Sequence, residues 1–163
     1  MDGSQVTTIV SIVGGVVGLI ALTVAWSQMK IASAKVKLDL YNKRFNVYVS
    51  TLEYYQAMWK QTDSDLKEKG AAFIKCYRES LFLFSEKDGV YKTLTNIKND
   101  GGVVSTYEDY KRQGHGVHSI GNFDVLHQRS VEAKEKIGDD LQVLEKQMAK
   151  YIDFKVVRGW SLF

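Results

Sequence analysis

Residues 6–26, VTTIVSIVGGVVGLIALTVAW, hold no charged side chain over 21 positions. Wound as an α-helix at about 1.5 Å per residue, this run is about 31 Å long, the thickness of a bilayer's hydrocarbon core. It predicts one transmembrane helix over residues 6–29. Thr7, Thr8 and Ser11 are compatible with insertion because their hydroxyls can bond back to helix carbonyls, and Trp26 lies where an interfacial aromatic belongs. The competing reading is a cleaved secretory signal ending at Ala32-Ser33-Ala34. The start Met-Asp-Gly-Ser-Gln lacks the positive region a signal requires, and the apolar run exceeds the usual span of about 7–15 residues.

The charges around this run set the expected topology. No Lys or Arg precedes it, whereas Lys30, Lys35, Lys37, Lys43 and Arg44 follow within about 20 residues. The positive-inside rule then places residues 1–5 outside and residues 30–163 in the cytoplasm, a single-pass arrangement in the cell inner membrane. The same five side chains are positioned to meet anionic lipid headgroups, at about 1 kcal/mol per basic residue. The plainer alternative is that they act only as a topology stop. Within the run, Gly14 and Gly18 form G-x-x-x-G, and Ser11 with Gly15 forms a second small-residue pair. Both patterns allow close approach of another helix and point to self-association.

The rest of the chain reads as all-α. At 163 residues it has room for one domain and an anchor, and none for two independent cores. Proline is absent, which favours long uninterrupted helices. The single cysteine, Cys76, excludes an internal disulfide and fits a reducing compartment. The net charge of +3 is too small to imply nucleic acid.

Ile31, Ala34, Leu38, Tyr41, Phe45, Tyr48, Leu52, Tyr55 and Trp59 recur at spacings of three and four, predicting one helix from the membrane to about residue 61 with this seam buried. The seam's aromatic bulk favours a bundle within one chain over a two-stranded coiled coil. Thr62, Asp63 and Ser64 are N-cap candidates for a second helix carrying Leu66, Phe73, Ile74, Tyr77, Leu81 and Phe84, and Asp88-Gly89 ends it. A short helix with Tyr91, Leu94 and Ile97 is expected to stop at an Asn99-Asp100-Gly101-Gly102 turn, with another over residues 103–113. Residues 114–122, with Gly114, Gly116 and Gly121, read as a loop. A last long helix from about Asn122 carries Leu126, Ala133, Ile137, Leu141, Leu144, Met148 and Tyr151 on one face, with Glu132, Lys134, Glu135, Lys136, Asp139 and Lys146 largely elsewhere. The expected architecture is therefore an N-terminal transmembrane helix continuing into an antiparallel cytoplasmic helical bundle over residues 30–163. The apolar stretch 154–163 is expected either to pack back on the bundle or to meet the membrane or a partner, with Trp160, Leu162 and Phe163 as the candidate partner surface.

Three strings carry a family resemblance: Lys37-Leu38-Asp39-Leu40-Tyr41-Asn42-Lys43-Arg44-Phe45-Asn46-Val47-Tyr48, Leu81-Phe82-Leu83-Phe84 and Tyr151-Ile152-Asp153-Phe154. They resemble, in the same order, the K-L-x-L-[FY]-x-x-R-F-x-V-Y, F-L-F and Y-L-D-F signatures of small bacterial membrane proteins with one N-terminal span and a helical cytoplasmic domain. Similar proteins appear as effectors in bacterial antiphage defence. The resemblance implies the architecture above and admits a membrane-disrupting role. The glycine-rich stretch 114–121 departs from the pattern.

No constellation for catalysis stands out. His115-Gly116-Val117-His118, with Asp124 and His127, has metal-ligand residue types, but its spacing lies in a glycine-rich loop without cysteine. Exposed loop histidines are the expectation. Cys76 sits mid-helix between Lys75 and Tyr77 with no activating neighbour, as a buried structural thiol does. Asp139 with Asp140, and Asp63 with Asp65, read as solvated helix surface. Phosphate-loop, dinucleotide and nucleophile-elbow motifs are missing. The bases and aromatics of residues 37–48 do not predict nucleic-acid binding, because the rings fall on the apolar seam.

The expectation is a non-enzymatic, cofactor-free and metal-free module, anchored in membrane lipid, that forms a homo-oligomer and binds a cytoplasmic protein partner. The alternative is a toxin-like antiphage effector that assembles through its transmembrane helix and permeabilises the membrane. A span without ionisable residues argues against a wide wet channel.

Overall fold

A computed structural model describes residues 3–60, 63–113 and 120–152. Those residues form four α-helices and one 3-10 turn, and no strand occurs among them. Helix α1 runs Gly3–Lys60, α2 Asp63–Leu83, α3 Val90–Arg112 and α4 Ile120–Ile152. Residues 1–40 and 41–163 are separate units.

The first unit is the N-terminal part of α1. Every described side chain from Val10 to Trp26 is exposed, including Leu22 at 68% and Leu19 at 66%. Among the described residues this is the one helix long and apolar enough to cross a membrane.

The second unit is an antiparallel four-helix bundle. Side-chain pairs fix the directions: Arg44 with Leu83 and Ser50 with Cys76 set α1 against α2, Tyr48 with Glu145 and Trp59 with Lys134 set α1 against α4, and Asn96 with Asp140 and Glu108 with Lys134 set α3 against α4. Val47 and Met58 of α1, Phe73 and Cys76 of α2, Val90, Leu94, Ile97 and Val104 of α3, and Ala133, Ile137, Leu144 and Met148 of α4 make one core. The α4 face expected from helical spacing is the buried one, apart from the half-buried Leu126 and Tyr151 at its ends.

Three expectations are corrected. The α1 seam is rotated: Phe45 and Trp59 are 42% and 51% exposed, while Val47, Ser50, Thr51, Tyr54, Ala57 and Met58 are buried. Tyr48, Leu52 and Tyr55 fall at the edge of the interface. There Tyr48 keeps its polar end accessible and donates to Glu145 Oε1 at 2.8 Å. Thr51 lies inside because its hydroxyl bonds to the Val47 carbonyl at 2.7 Å, so its burial strands no donor.

Second, Asn99-Asp100-Gly101-Gly102 is no turn; α3 passes straight through it. The glycine at 101 serves packing. A Cβ there would fall 2.8 Å from Tyr54 Cε1, while one at Gly70 on α2 would fall 3.2 Å from Tyr54 Cε2. The Tyr54 ring is thus held between two helix backbones and stacks on Phe73 at 4.9 Å. Third, Lys134 is on the inward side of α4, at 7% exposure.

The break between α2 and α3 falls at the expected Asp88-Gly89. Ser85 is extended, Glu86–Asp88 forms the 3-10 turn, and Gly89 adopts φ 73°, a left-handed conformation that glycine enters without the steric cost of a Cβ. The Gly89 carbonyl then accepts from Thr93 N at 3.0 Å to start α3.

Candidate functional site

The apolar part of α1 presents small residues and closed hydroxyls. A Cβ added at Gly14, Gly15 or Gly18 would meet nothing within 4 Å, so this side is open to a neighbouring helix. Ser11, Thr7 and Thr8 donate to the carbonyls of Thr7, Gly3 and Ser4 at 2.9 Å, and Thr23 donates to Ile20 O at 2.8 Å. These hydroxyl protons are used within the helix. Lys30 Nζ sits 4.5 Å from the Trp26 ring centroid, one turn away, as an interfacial aromatic–cation pair would.

Of the five basic residues expected at the headgroups, Lys30, Lys35, Lys37 and Lys43 are exposed. Arg44 is half-buried and has a role in the fold. Its Nε donates to the Leu83 carbonyl at the end of α2, 2.9 Å away. Its guanidinium also lies 4.4 Å from the Tyr151 ring centroid and 6.0 Å from Phe84. A cation bonded to the last carbonyl of a helix complements the dipole there. Beside it Asp88 accepts from Lys150 and from the Tyr151 hydroxyl, which hold its carboxyl below the usual carboxylate range. The expected partner residues Trp160, Leu162 and Phe163 lie outside the described residues, as do His115 and His118.

His127 is on α4 with Nδ1 3.0 Å from Tyr107 Oη, and Asp124 is exposed. Among the described residues no group of three or more His, Cys, Asp or Glu is placed to hold a metal ion. Cys76 is buried; its thiol donates to Ser50 Oγ at 3.2 Å and accepts from Asn46 Nδ2 at 3.3 Å. A thiol sealed between α1 and α2 is expected to react with a chromogenic disulfide reagent only as fast as the bundle unfolds. Rapid labelling under native conditions would show that α1 and α2 separate locally.

Two polar features were not foreseen. Lys134 Nζ lies 3.9 Å from Glu108 Oε1, both residues under 10% exposed, with the ammonium 5.4 Å from the Trp59 ring centroid. One turn earlier the buried Ser130 hydroxyl has no hydrogen-bond partner among the described residues. The signal was present: Ser130, Lys134, Ile137 and Leu141 share the spacing of the apolar face. Separately, Asn96, Asn99, Asp100, Lys136, Asp139 and Asp140 line a groove of about 370 Å³ between α3 and α4. Burial pushes the Asp140 carboxyl up, against an Asn96 hydrogen bond, and the Asp100 and Asp139 charges add to the rise.

In comparisons with known proteins, no family model, no curated protein and no solved structure matches this chain.

Proposed function

We propose that this chain is a membrane-anchored helical interaction module: its apolar N-terminal helix spans the inner membrane, self-associates, and carries a cytoplasmic bundle that binds a protein partner. The observation that carries the reading is the composition of α1. One unbroken helix holds a wholly exposed apolar stretch of bilayer length and, from residue 41 on, the buried face of a packed bundle. Exposed Val, Leu and Ile in such a run need a nonaqueous surround, and lipid supplies it. The open side at Ser11, Gly14, Gly15 and Gly18 supports association of spans. Lys30, Lys35, Lys37 and Lys43 support the cytoplasmic placement of the bundle.

The antiphage-effector reading, suggested by the sequence resemblance, requires the span to admit ions or water. The hydroxyls of Thr7, Thr8, Ser11 and Thr23, its main polar groups, already bond to the helix backbone. The test expresses the full chain beside a version lacking residues 1–29 in bacteria, followed by alkaline extraction and a membrane-potential dye. The full chain is expected to stay in the extracted membranes with the potential intact, and the shortened one in the soluble fraction. Gly14→Ile and Gly18→Ile are expected to reduce chemical cross-linking between copies. Full-chain expression that collapses the potential, with loss of that effect on Gly14→Ile, would replace the module by the effector. Release of the full chain at alkaline pH would remove the anchor altogether.

A further inference from the structure

The solvent side of α2 is unusual for an outer helix face. At helical spacing it carries Lys67, Ile74, Lys75, Arg78, Leu81 and Phe82, with the three apolar residues 37%, 54% and 86% exposed. Among the described residues Lys67, Lys75 and Arg78 make no ion pair, whereas Lys69, on the inner edge, is held by Glu53 at 3.1 Å. Glu68 and Glu79 border the face, and the first lies 3.9 Å from Lys69. The face is therefore a cationic, apolar strip without a partner among the described residues.

The α3–α4 groove has the opposite character. Three carboxylates, Asp100, Asp139 and Asp140, surround one lysine, Lys136. Val103 and Val143, 38% and 42% exposed, lie one turn from Asp100 and Asp139 respectively and so flank the acids with apolar surface. A cation entering the groove relieves the crowding of like charges there.

We infer that the outward face of α2 in one copy of this chain docks on the α3–α4 groove of a second copy, Lys75 and Arg78 meeting Asp100 and Asp139 while Ile74, Leu81 and Phe82 cover Val103 and Val143. The contact presupposes the self-associating module proposed above. The chain's own end is a poor occupant of the α2 face, since residues 153–163 bring Lys155 and Arg158 against a single acidic side chain, Asp153. An anionic lipid surface would match α2 alone and leave the acidic groove without a partner. Because the two surfaces differ, the contact is head-to-tail, and copies add into a ring or an open array instead of stopping at a two-fold dimer.

Charge exchange tests this on the full chain in detergent, with association followed by sedimentation and folding by far-UV circular dichroism. Lys75→Glu with Arg78→Glu makes both surfaces acidic; Asp100→Lys with Asp139→Lys makes both basic. Each variant is expected to self-associate about tenfold more weakly than the parent chain, with a lessened response to salt. An equimolar mixture is expected to recover parental association, because each variant then offers the other a complementary surface. Parental behaviour of either variant alone, or a mixture no better than its components, overturns the contact. So does vesicle binding, on phosphatidylglycerol, that Lys75→Glu with Arg78→Glu abolishes while self-association stays parental; that result would make the α2 face a lipid surface. Dissociation by Gly14→Ile with no effect of the charge variants leaves the anchored module standing without this contact.

Discussion

Replacing Gly101 by valine is expected to lower the unfolding free energy of the bundle by about 3 kcal/mol, while Gly102→Ala, one residue along the same helix, raises it by up to about 1 kcal/mol. The opposite signs follow from what each position faces. A side chain at 101 enters the space of the Tyr54 ring, already confined by Gly70 and stacked on Phe73. At 102 an added Cβ meets nothing within 4 Å, so only the gain in helix propensity remains. Urea titration followed by circular dichroism reads both. Tyr54→Phe in the Gly101→Val background is expected to return part of the loss, since the hydroxyl end of the ring is what approaches position 101. Equal, small effects at 101 and 102 would mean that both face solvent, as in a surface turn.

Glu108→Leu is expected to cost about 3 kcal/mol, and Glu108→Leu combined with Lys134→Met to restore or exceed parental stability. The single change leaves an ammonium at 7% exposure without a countercharge; the double change replaces a long 3.9 Å pair by apolar packing. The pair also has a pH signature. Burial, with a smaller push from Lys111, holds Lys134 below the ordinary lysine value of 10.5, against the pull of Glu108. Between that depressed value and 10.5 the unfolded chain binds more protons than the folded one, so stability rises with pH across the interval. Below it the cost of burying the charge is present in full. Parental protein measured from neutral to alkaline pH is expected to show this gain relative to Lys134→Met. A difference between the two that stays flat with pH would show that Lys134 is solvated in the folded state.

These two sites are also where sequence spacing and structure part company. Helical periodicity finds an apolar stripe when hydrophobic residues alone line it, as on α4, where Ala133, Ile137, Leu141, Leu144 and Met148 are all inside. It fails when the buried face includes residues classed as polar. Thr51 and Ser50 shift the expected α1 seam toward the neighbouring aromatics, and the charge of Lys134 sets it off the expected apolar face although it shares the register of Ile137. Asn99-Asp100-Gly101-Gly102 misled for a different reason. Glycine marks a turn when backbone freedom is needed, and equally marks a close approach when a partner ring needs space; only the position of Tyr54, 47 residues away, distinguishes them. Gly89 is the case where local chemistry was sufficient, its left-handed backbone being required by the turn itself. The α2 strip and the α3–α4 groove escaped notice because each joins residues that mean little until the helices are placed.

The buried face of α1 also sets an order of events during synthesis. Val47 and Met58 emerge from the ribosome early, yet the α4 residues of their core, Ile137, Leu144 and Met148, come about 80 to 100 residues later. At about 5–20 residues per second the wait is several seconds or more. Throughout it the nascent chain displays an unsatisfied greasy helix directly behind its most apolar segment. Shielding of that helix until translation ends becomes a condition for a good yield of folded protein.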